Sequence, residues 1–392
     1  MPADRRDLRR LGVNAVFLEP RMGGVETYAR RLMNALLETR PDLNVTMFVN
    51  ETGREALAEE LWAPSVSFVT HPLLGRRGVR ALGEAFLLGS LARRGRCELL
   101  HSLAMTAPLR PSVPSVVTVP DVTWLRVPGA VPRATQLLWR TLVIPAARRA
   151  QRVIAHSRAA RLEIAEDFGI PPAQIDVVPH GPGREPTVEP TPERELRDRL
   201  ALGDGPVVLA VSALLAHKNL GPLVEAMADI RSDVPGASLV IPANPTPMQT
   251  ELADMAERLG LREAVVFPGW VSSADLEGLY HLASCFAFPS LREGFGLPVL
   301  EAMRRGVPVA CSNASAIPEV AGDAALLFDP RRPAEIASAV RRLLTDRALA
   351  AELAARGPER AKLFSWRRAA EQTLAAYERA LDTAGRQAQS MP

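Results

Sequence analysis

The chain has 392 residues, 47% hydrophobic and 23% charged, which predicts two globular domains and argues against long disordered tracts. Cys97, Cys285 and Cys311 are widely separated and odd in number, so neither a disulfide framework nor a zinc cluster is supported. The net charge is only +3, no run of about 18 apolar residues marks a membrane span, and the opening MPADRRDLRR lacks the apolar core of a secretory signal; a soluble, reduced, cytoplasmic protein without a nucleic-acid partner is expected.

The first strand is predicted at 13–19 (VNAVFLE), followed by a loop at 20–24 and a helix over about 25–37. In that helix Val25, Tyr28, Leu32 and Leu36 recur on one face. Further strands are predicted at 44–49, near 97–101, and at 115–119, 152–155 and 176–178. Strands alternating with helical stretches predict a doubly wound parallel sheet. The stretch HGPGREPTVEPTPERE, residues 180–195, is rich in Pro and Gly and has no apolar period, so it reads as a linker. The pattern then restarts, with strands at 206–212, 238–243, 264–269, 285–290, 308–313 and 325–330, a helix at 220–230, and helices between most strands. The tail from 365 to 386 reads as one amphipathic helix with Trp366, Leu374 and Tyr377 among its apolar residues. There is no short-period repeat. Two such domains would face one another across a cleft, and ligands of open α/β sheets sit beyond the carboxyl ends of strands.

Charge is uneven. Residues 1–182 carry a net +7 and the remainder a net −4. The basic half suits an anionic partner or a membrane surface, and equally a plain solvated face. Of 47 cationic side chains only Lys218 and Lys362 are lysine. In an arginine-rich chain, a lysine at a given site suggests a need for a compact, strongly hydrated charge.

The most specific stretch is PSLREGFGLPVLEAMRRGVPV, residues 289–309. Glu293 and Glu301 bracket it, with Gly294, Gly296 and Pro298 between them. Pro suits the first turn of a helix and Gly306 its end, so Glu293 is expected at the end of a strand-to-helix loop and Glu301 in the first turn of the helix. Glycines allow close backbone approach to a ligand, and the helix N-terminus favours a negatively charged group. Glu301 can accept two hydrogen bonds from a vicinal diol such as a ribose, and Glu293 can accept from sugar hydroxyls. The plainer reading of Glu301 is an acid complementing the helix dipole.

This string resembles the signature of the retaining glycosyltransferases of family 4, which have the GT-B fold, two Rossmann-like domains across a cleft. The resemblance extends over nearly the whole chain: PRMGGVETYARRL is similar to the family's N-terminal glycine loop, IAHSRAARLEIAEDFGI to its acceptor-domain strand and helix, and VVPHGPG to its domain exit. FPGWVSSADLEGLYHLASCFAFPS is similar to the stretch before the motif, and FSWRRAAEQTLAAY to the closing helix. It implies an acceptor-binding domain at 1–182, a linker at 183–204, a nucleotide-sugar-binding domain at 205–364, and a helix and tail at 365–392 that cross back to the first domain. By position, Glu301 would hold the ribose and Glu293 the donor sugar, while the amides of Gly294, Phe295, Gly296 and Leu297 would line the sugar and diphosphate. Lys218, with Asn219 beside it, falls where the family places a diphosphate-binding lysine, and Val271 would meet the base through its backbone. Gly23 and Gly24 precede a helix, and their amides would reach phosphates; a plain turn explains them as well. Glu26 is either acceptor-facing or a favourable first-turn acid.

Loss of a nucleoside diphosphate develops negative charge on phosphate oxygen, which fixed donors stabilise. Lys218 and helix N-termini would supply them, and the absence of any D-x-D fits a site without metal or other cofactor. The resemblance implies retention with same-face attack, the leaving phosphate taking the acceptor's proton. Two positions depart from the family. Pro120 stands where a histidine is usual, leaving Asp121 as the candidate for acceptor or sugar contact, or simply a turn cap, and His101 as a possible substitute. Ser212 and Ala213 stand where an arginine is usual. The expected function is transfer of a sugar from a nucleotide-sugar to a glycan, lipid-linked or small-molecule acceptor, as in polysaccharide biosynthesis. The competing reading is a catalytically weak partner or regulatory subunit that binds nucleotide. Basic runs at 75–80, 93–96 and 148–161 suit peripheral contact with the inner face of a membrane.

Overall fold

The computed structural model describes residues 8–20, 22–75, 79–183 and 188–389. Arg21, residues 76–78 of the basic run, residues 184–187 of the expected linker and the charged N-terminal heptapeptide lie outside that set. The chain divides into two compact units, one of Met1–Leu125, Val131–Gly181 and Ser365–Pro392, the other of Arg126–Ala130 and Pro182–Phe364.

The first unit holds β1 (Arg10–Asn14), β2 (Asn44–Phe48), β3 (Val66–Val69), β4 (Leu99–Ser102), β5 (Ser115–Thr118), β6 (Arg152–Ala155) and β7 (Ile175–Val177). They form one parallel sheet in the order β3-β2-β1-β4-β5-β6-β7. The strand expected at 13–19 begins at Arg10 and ends at Asn14. After Asn14 the N–H of Ala15 still reaches Phe48 O at 2.9 Å, but Leu18 N–H turns back onto Ala15 O at 3.0 Å. Ala15, Val16 and Leu18 are therefore a buried turn, whose apolar run imitates a strand. The short edge strand β3 is half covered and has too little alternation to stand out in the sequence.

The second unit holds β8 (Val207–Leu209), β9 (Ser238–Val240), β10 (Val265–Val266), β11 (Cys285–Phe288), β12 (Val309–Ser312) and β13 (Leu326–Phe328). These are also all parallel, in the order β10-β9-β8-β11-β12-β13. Val207 and Leu209 join one apolar cluster and Val208 the other, so β8 is buried on both faces and reads as an unbroken hydrophobic run. The range expected as linker contains the helix Glu193–Arg199, with Leu196 buried. Acids in its first turn and arginines in its last complement the helix dipole.

The helix Trp366–Gln389 belongs to the first unit. Ala369, Ala370, Ala376, Tyr377 and Ala380 enter the same core as Leu11, Val13 and Leu32. All three cysteines are free and buried. In each sheet the strand order reverses beside its first strand, between β1 and β4 and between β8 and β11. Chain segments leaving the carboxyl ends at such a reversal diverge and open a crevice.

Candidate functional site

In the second unit the segments that follow β8 and β11 meet at that reversal. After β8 the chain makes a short 3-10 turn, Ala216–Lys218, and Asn219 then adopts a left-handed backbone (φ 56°) to start the helix Leu220–Asp233. The Asn219 side-chain amide donates to Pro289 O at 3.1 Å and Pro330 O at 2.6 Å, clipping this turn to the ends of β11 and β13. Leu291 N–H donates to His217 O at 2.8 Å. These bonds place Lys218 beside the glycine-containing loop.

Lys218 Nζ lies 2.7 Å from Glu293 Oε1, with the two side chains only 15% and 12% exposed. The ammonium also stands 5.7 Å from the centre of the Phe288 ring, within range of a cation–π attraction. The backbone of Glu293 is fixed in turn: Ser315 Oγ donates to Glu293 O at 2.8 Å and accepts from Glu293 N–H at 3.4 Å. Phe295 is buried edge-on against Phe364. Gly296 (φ 106°) caps the helix Leu297–Arg304, with Pro298 in its first turn. Gly306 (φ 69°) lies just past its end and donates to Met303 O at 3.0 Å. The initial N–H groups of such a helix find no acceptor within it and face back along the loop.

Glu301 is not in the first turn, where it was expected: that turn holds no acid. Because the helix starts at Leu297, Glu301 comes five positions in, which removes the dipole-complementing reading. Its carboxylate instead accepts a hydrogen bond from Tyr280 Oη to Oε2 at 3.2 Å. A Cβ on Gly183 would fall 1.5 Å from Glu301 Oε1, so a larger residue there would displace the carboxylate. Burial first, then the neighbouring Glu301 carboxylate, push the Tyr280 phenol well up, which keeps its proton available to donate. Arg305 stacks 4.5 Å from the centre of the Tyr280 ring. It grips Glu277 with both arms, at 2.8 and 2.6 Å, and donates to Glu301 O at 3.0 Å. Tyr280, Glu277 and Arg305 carried no signal in the sequence, since no short motif joins them. Val271 packs against the apolar cluster that includes Phe295 and Leu297, and its link to the rest is that packing.

The remaining candidates lie in the first unit. Gly23 has φ 70° and caps the helix Gly24–Thr39. A Cβ at Gly23 or Gly24 would meet nothing within 4 Å, so space is open above that N-terminus. Glu26 accepts from Met22 N–H at 3.1 Å and from Arg30 Nε at 3.0 Å; it latches the helix start, in keeping with the first-turn reading. Asp121 Oδ1 accepts from Thr123 N–H at 2.7 Å, a turn cap beyond β5. His101 does not replace the missing histidine. It is fully buried, with Nδ1 2.7 Å from Tyr377 Oη and Nε2 2.8 Å from Thr118 Oγ1. Burial, aided by His156, pushes its pKa down to about 3, so the ring stays neutral with both nitrogens engaged. Ser212 donates to Ala213 O at 3.1 Å. Among the described residues no group of three His, Cys, Asp or Glu is arranged to hold a metal ion, and no helix is long and apolar enough to cross a membrane.

The family described as Glycosyltransferase Family 4 matches residues 22–182, and the family described as Glycosyl transferases group 1 matches residues 192–360. The serotype-specific mannosyltransferase WbdA of Escherichia coli is 32% identical over 244 residues, 60% of this chain and 29% of WbdA. The chain thus spans less than a third of that relative's length. The GDP-mannose-dependent alpha-(1-6)-phosphatidylinositol monomannoside mannosyltransferase of Mycolicibacterium smegmatis is 29% identical over 90% of this chain and 97% of its own. Among solved structures, sucrose-phosphate synthase from Thermosynechococcus elongatus superposes with a TM-score of 0.75 at 21% identity, over 94% of this chain and 98% of that one. Anabaena HepE in complex with UDP and glucose gives 0.72 at 20% identity, over 94% and 99%. The fold is therefore GT-B, two parallel α/β units of glycosyltransferase type. The chain is thus similar in its first half to the family 4 glycosyltransferases and in its second half to the group 1 glycosyltransferases.

Proposed function

We propose that this chain is a retaining, metal-independent glycosyltransferase that moves a hexosyl group, mannose first among those to test, from a nucleotide-sugar. The acceptor would be a glycan, a lipid-linked sugar or a small molecule. The observation that carries the reading is the Lys218–Glu293 pair at 2.7 Å beside the N-terminus of the helix that bears Glu301. A donor diphosphate would draw the Lys218 ammonium away from its carboxylate. Glu293 would then be free to accept hydrogen bonds from the sugar hydroxyls, and Glu301 from the ribose diol. As the anomeric carbon–oxygen bond breaks, Lys218 and the N–H groups at Gly294, Phe295, Gly296 and Leu297 stabilise the charge growing on the diphosphate. The leaving phosphate accepts the proton of the acceptor hydroxyl, which attacks the same face of the sugar. No group on the chain is required as a covalent nucleophile.

Asn219 would serve this site through the backbone it clips, and Val271 would meet the base through its backbone. In the first unit, Gly23 and Gly24 offer backbone N–H groups suited to an anionic group, and Asp121 offers a carboxylate for acceptor hydroxyls. The near-full-length mycolicibacterial relative is named for GDP-mannose and a phosphatidylinositol mannoside, which supports GDP-mannose as donor and a lipid-linked acceptor. The O-antigen chain mannosyltransferase B of Escherichia coli, 44% identical over 32% of this chain, supports polysaccharide assembly. The net +7 of the arginine-rich first half supports a cytoplasmic protein in peripheral contact with an anionic membrane surface.

The test is a thermal-shift screen of GDP-, UDP-, ADP- and TDP-sugars, followed by turnover with the donor that raises the melting temperature most. Glu293→Gln and Lys218→Ala should each lower turnover by about 100-fold or more with the fold intact, and a chelator should change nothing. Wild-type rates in both variants would refute the site, and loss of activity with a chelator would refute metal independence. One observation favours a second reading, a nucleotide-binding partner with weak catalysis: Pro120 replaces the usual histidine, and His101 is fully engaged elsewhere. Nucleotide binding without turnover on any acceptor would select it.

A further inference from the structure

Two helices of the second unit are joined by polar contacts that packing alone does not require. Glu277 and Tyr280 lie three residues apart on the helix Ser273–Leu282, and Glu301 and Arg305 four apart, at the end of the motif helix. Such spacings put each pair on one helix face. A single guanidinium bridges them: Arg305 holds both oxygens of Glu277, lies over the Tyr280 ring and donates to the Glu301 carbonyl. The Arg305 and Glu277 side chains are only 9% and 6% exposed. A buried ion pair is seldom more stabilising than apolar residues of the same volume, because both charges lose their water. What it does supply is direction. Here it sets the plane of Tyr280, and the Tyr280 hydroxyl meets Glu301 Oε2 at 3.2 Å. Gly183 backs the other oxygen, so close that a side chain there would displace the carboxylate. The carboxylate is thereby held from two sides.

We propose that Tyr280 is a positioning residue for nucleotide recognition, its hydroxyl fixing the Glu301 carboxylate in the orientation that receives a ribose diol, with the Arg305–Glu277 pair as its support. This rests on the ribose role proposed for Glu301. A phenylalanine at 280 would fill the same space and stack on Arg305 equally well, so a purely structural Tyr280 predicts little change from Tyr280→Phe. A positioning Tyr280 predicts a change confined to the ribose hydroxyls.

The experiment measures dissociation constants of the 392-residue chain by calorimetry for GDP and 2′,3′-dideoxy-GDP, with UDP and its dideoxy form in parallel. The wild type should prefer the ribose form of its own nucleotide by about tenfold or more. Tyr280→Phe should cut that preference by about fivefold, with the dideoxy affinity unchanged. An unchanged preference, or equal weakening toward both forms, would overturn the proposal. Glu301→Gln separates the two layers. If it too keeps the full ribose preference, or the wild type has none, Glu301 does not read the ribose and the proposal falls with it. If Glu301→Gln abolishes the preference while Tyr280→Phe leaves it intact, the reading of Glu301 stands and Tyr280 alone is excluded. Should Tyr280→Phe fail to fold, Arg305→Lys keeps the charge and loses the two-armed grip. It carries the same expectation, and a preference it leaves untouched overturns the proposal.

Discussion

Lys218 and Glu293 neutralise one another away from most of the solvent, so a ligand that engages either must replace what the other supplies. In the proposed donor complex a diphosphate would do this for the lysine and sugar hydroxyls for the glutamate. Similar accounting governs the buried histidines of the first unit. Burial pushes His101 down to about 3 and His156 to about 4, and lowers His180 as well; at His156 a bond to Val178 and the nearby Asp121 act in the opposite sense. The unfolded chain takes up protons on these rings below the ordinary value of about 6.5, while in the folded chain His101 stays neutral until about 3 and His156 until about 4. Their contribution to stability is therefore complete above about 6.5 and is lost as pH falls from there. Each ring contributes up to about 1.4 kcal/mol per pH unit to that loss. Urea unfolding should show a drop in stability between pH 7 and 5.5, and His101→Gln should flatten it. A slope as steep as wild type in that variant would show that His101 takes no part. None of this was legible residue by residue, because the burial of a histidine depends on its packed surroundings: Tyr377, the partner of His101, lies 276 positions away.

At the scale of elements, the helix Leu297–Arg304 was legible from Gly296, Pro298 and Gly306, each a local conformational preference. Its offset relative to Glu301 was not, because one residue's difference in where a helix starts leaves the punctuation unchanged. Gly296 has φ 106°, a backbone that L side chains rarely adopt. Gly296→Val should cost about 1–3 kcal/mol and tilt the helix start away from the loop. The expected outcome is a melting temperature lowered by several degrees together with weaker nucleotide binding. Unchanged affinity would mean that the helix N-terminus does not face the ligand. The turn at Ala15–Leu18 teaches the converse lesson. Its residues are as apolar as a strand's, and what separates it from β1 is its bonding, with Leu18 N–H turned back onto Ala15 O and Asn50 holding the carbonyls of Val16 and Leu18.

At the scale of the whole molecule, the apolar clusters separate by unit, and the closing helix Trp366–Gln389 completes the core of the first. Hydrogen exchange with the preferred nucleoside diphosphate should therefore concentrate protection in the second unit, at residues 215–220 and 291–301. Protection confined to the first unit would relocate the binding site.

The amino-acid sequence by itself determined two parallel sheets, their break near residue 182, and which segments carry Lys218, Glu293 and Glu301. Strand–helix alternation, glycine and proline punctuation and the spacing of the paired acids are all local along the chain. Tertiary structure alone decided what those groups touch. Lys218 meets Glu293 across 75 positions, Tyr280 meets Glu301 across 21, and Arg305 meets Glu277 across 28. Which buried polar groups become partners depends on how the helices pack on the sheet, and no local propensity encodes that.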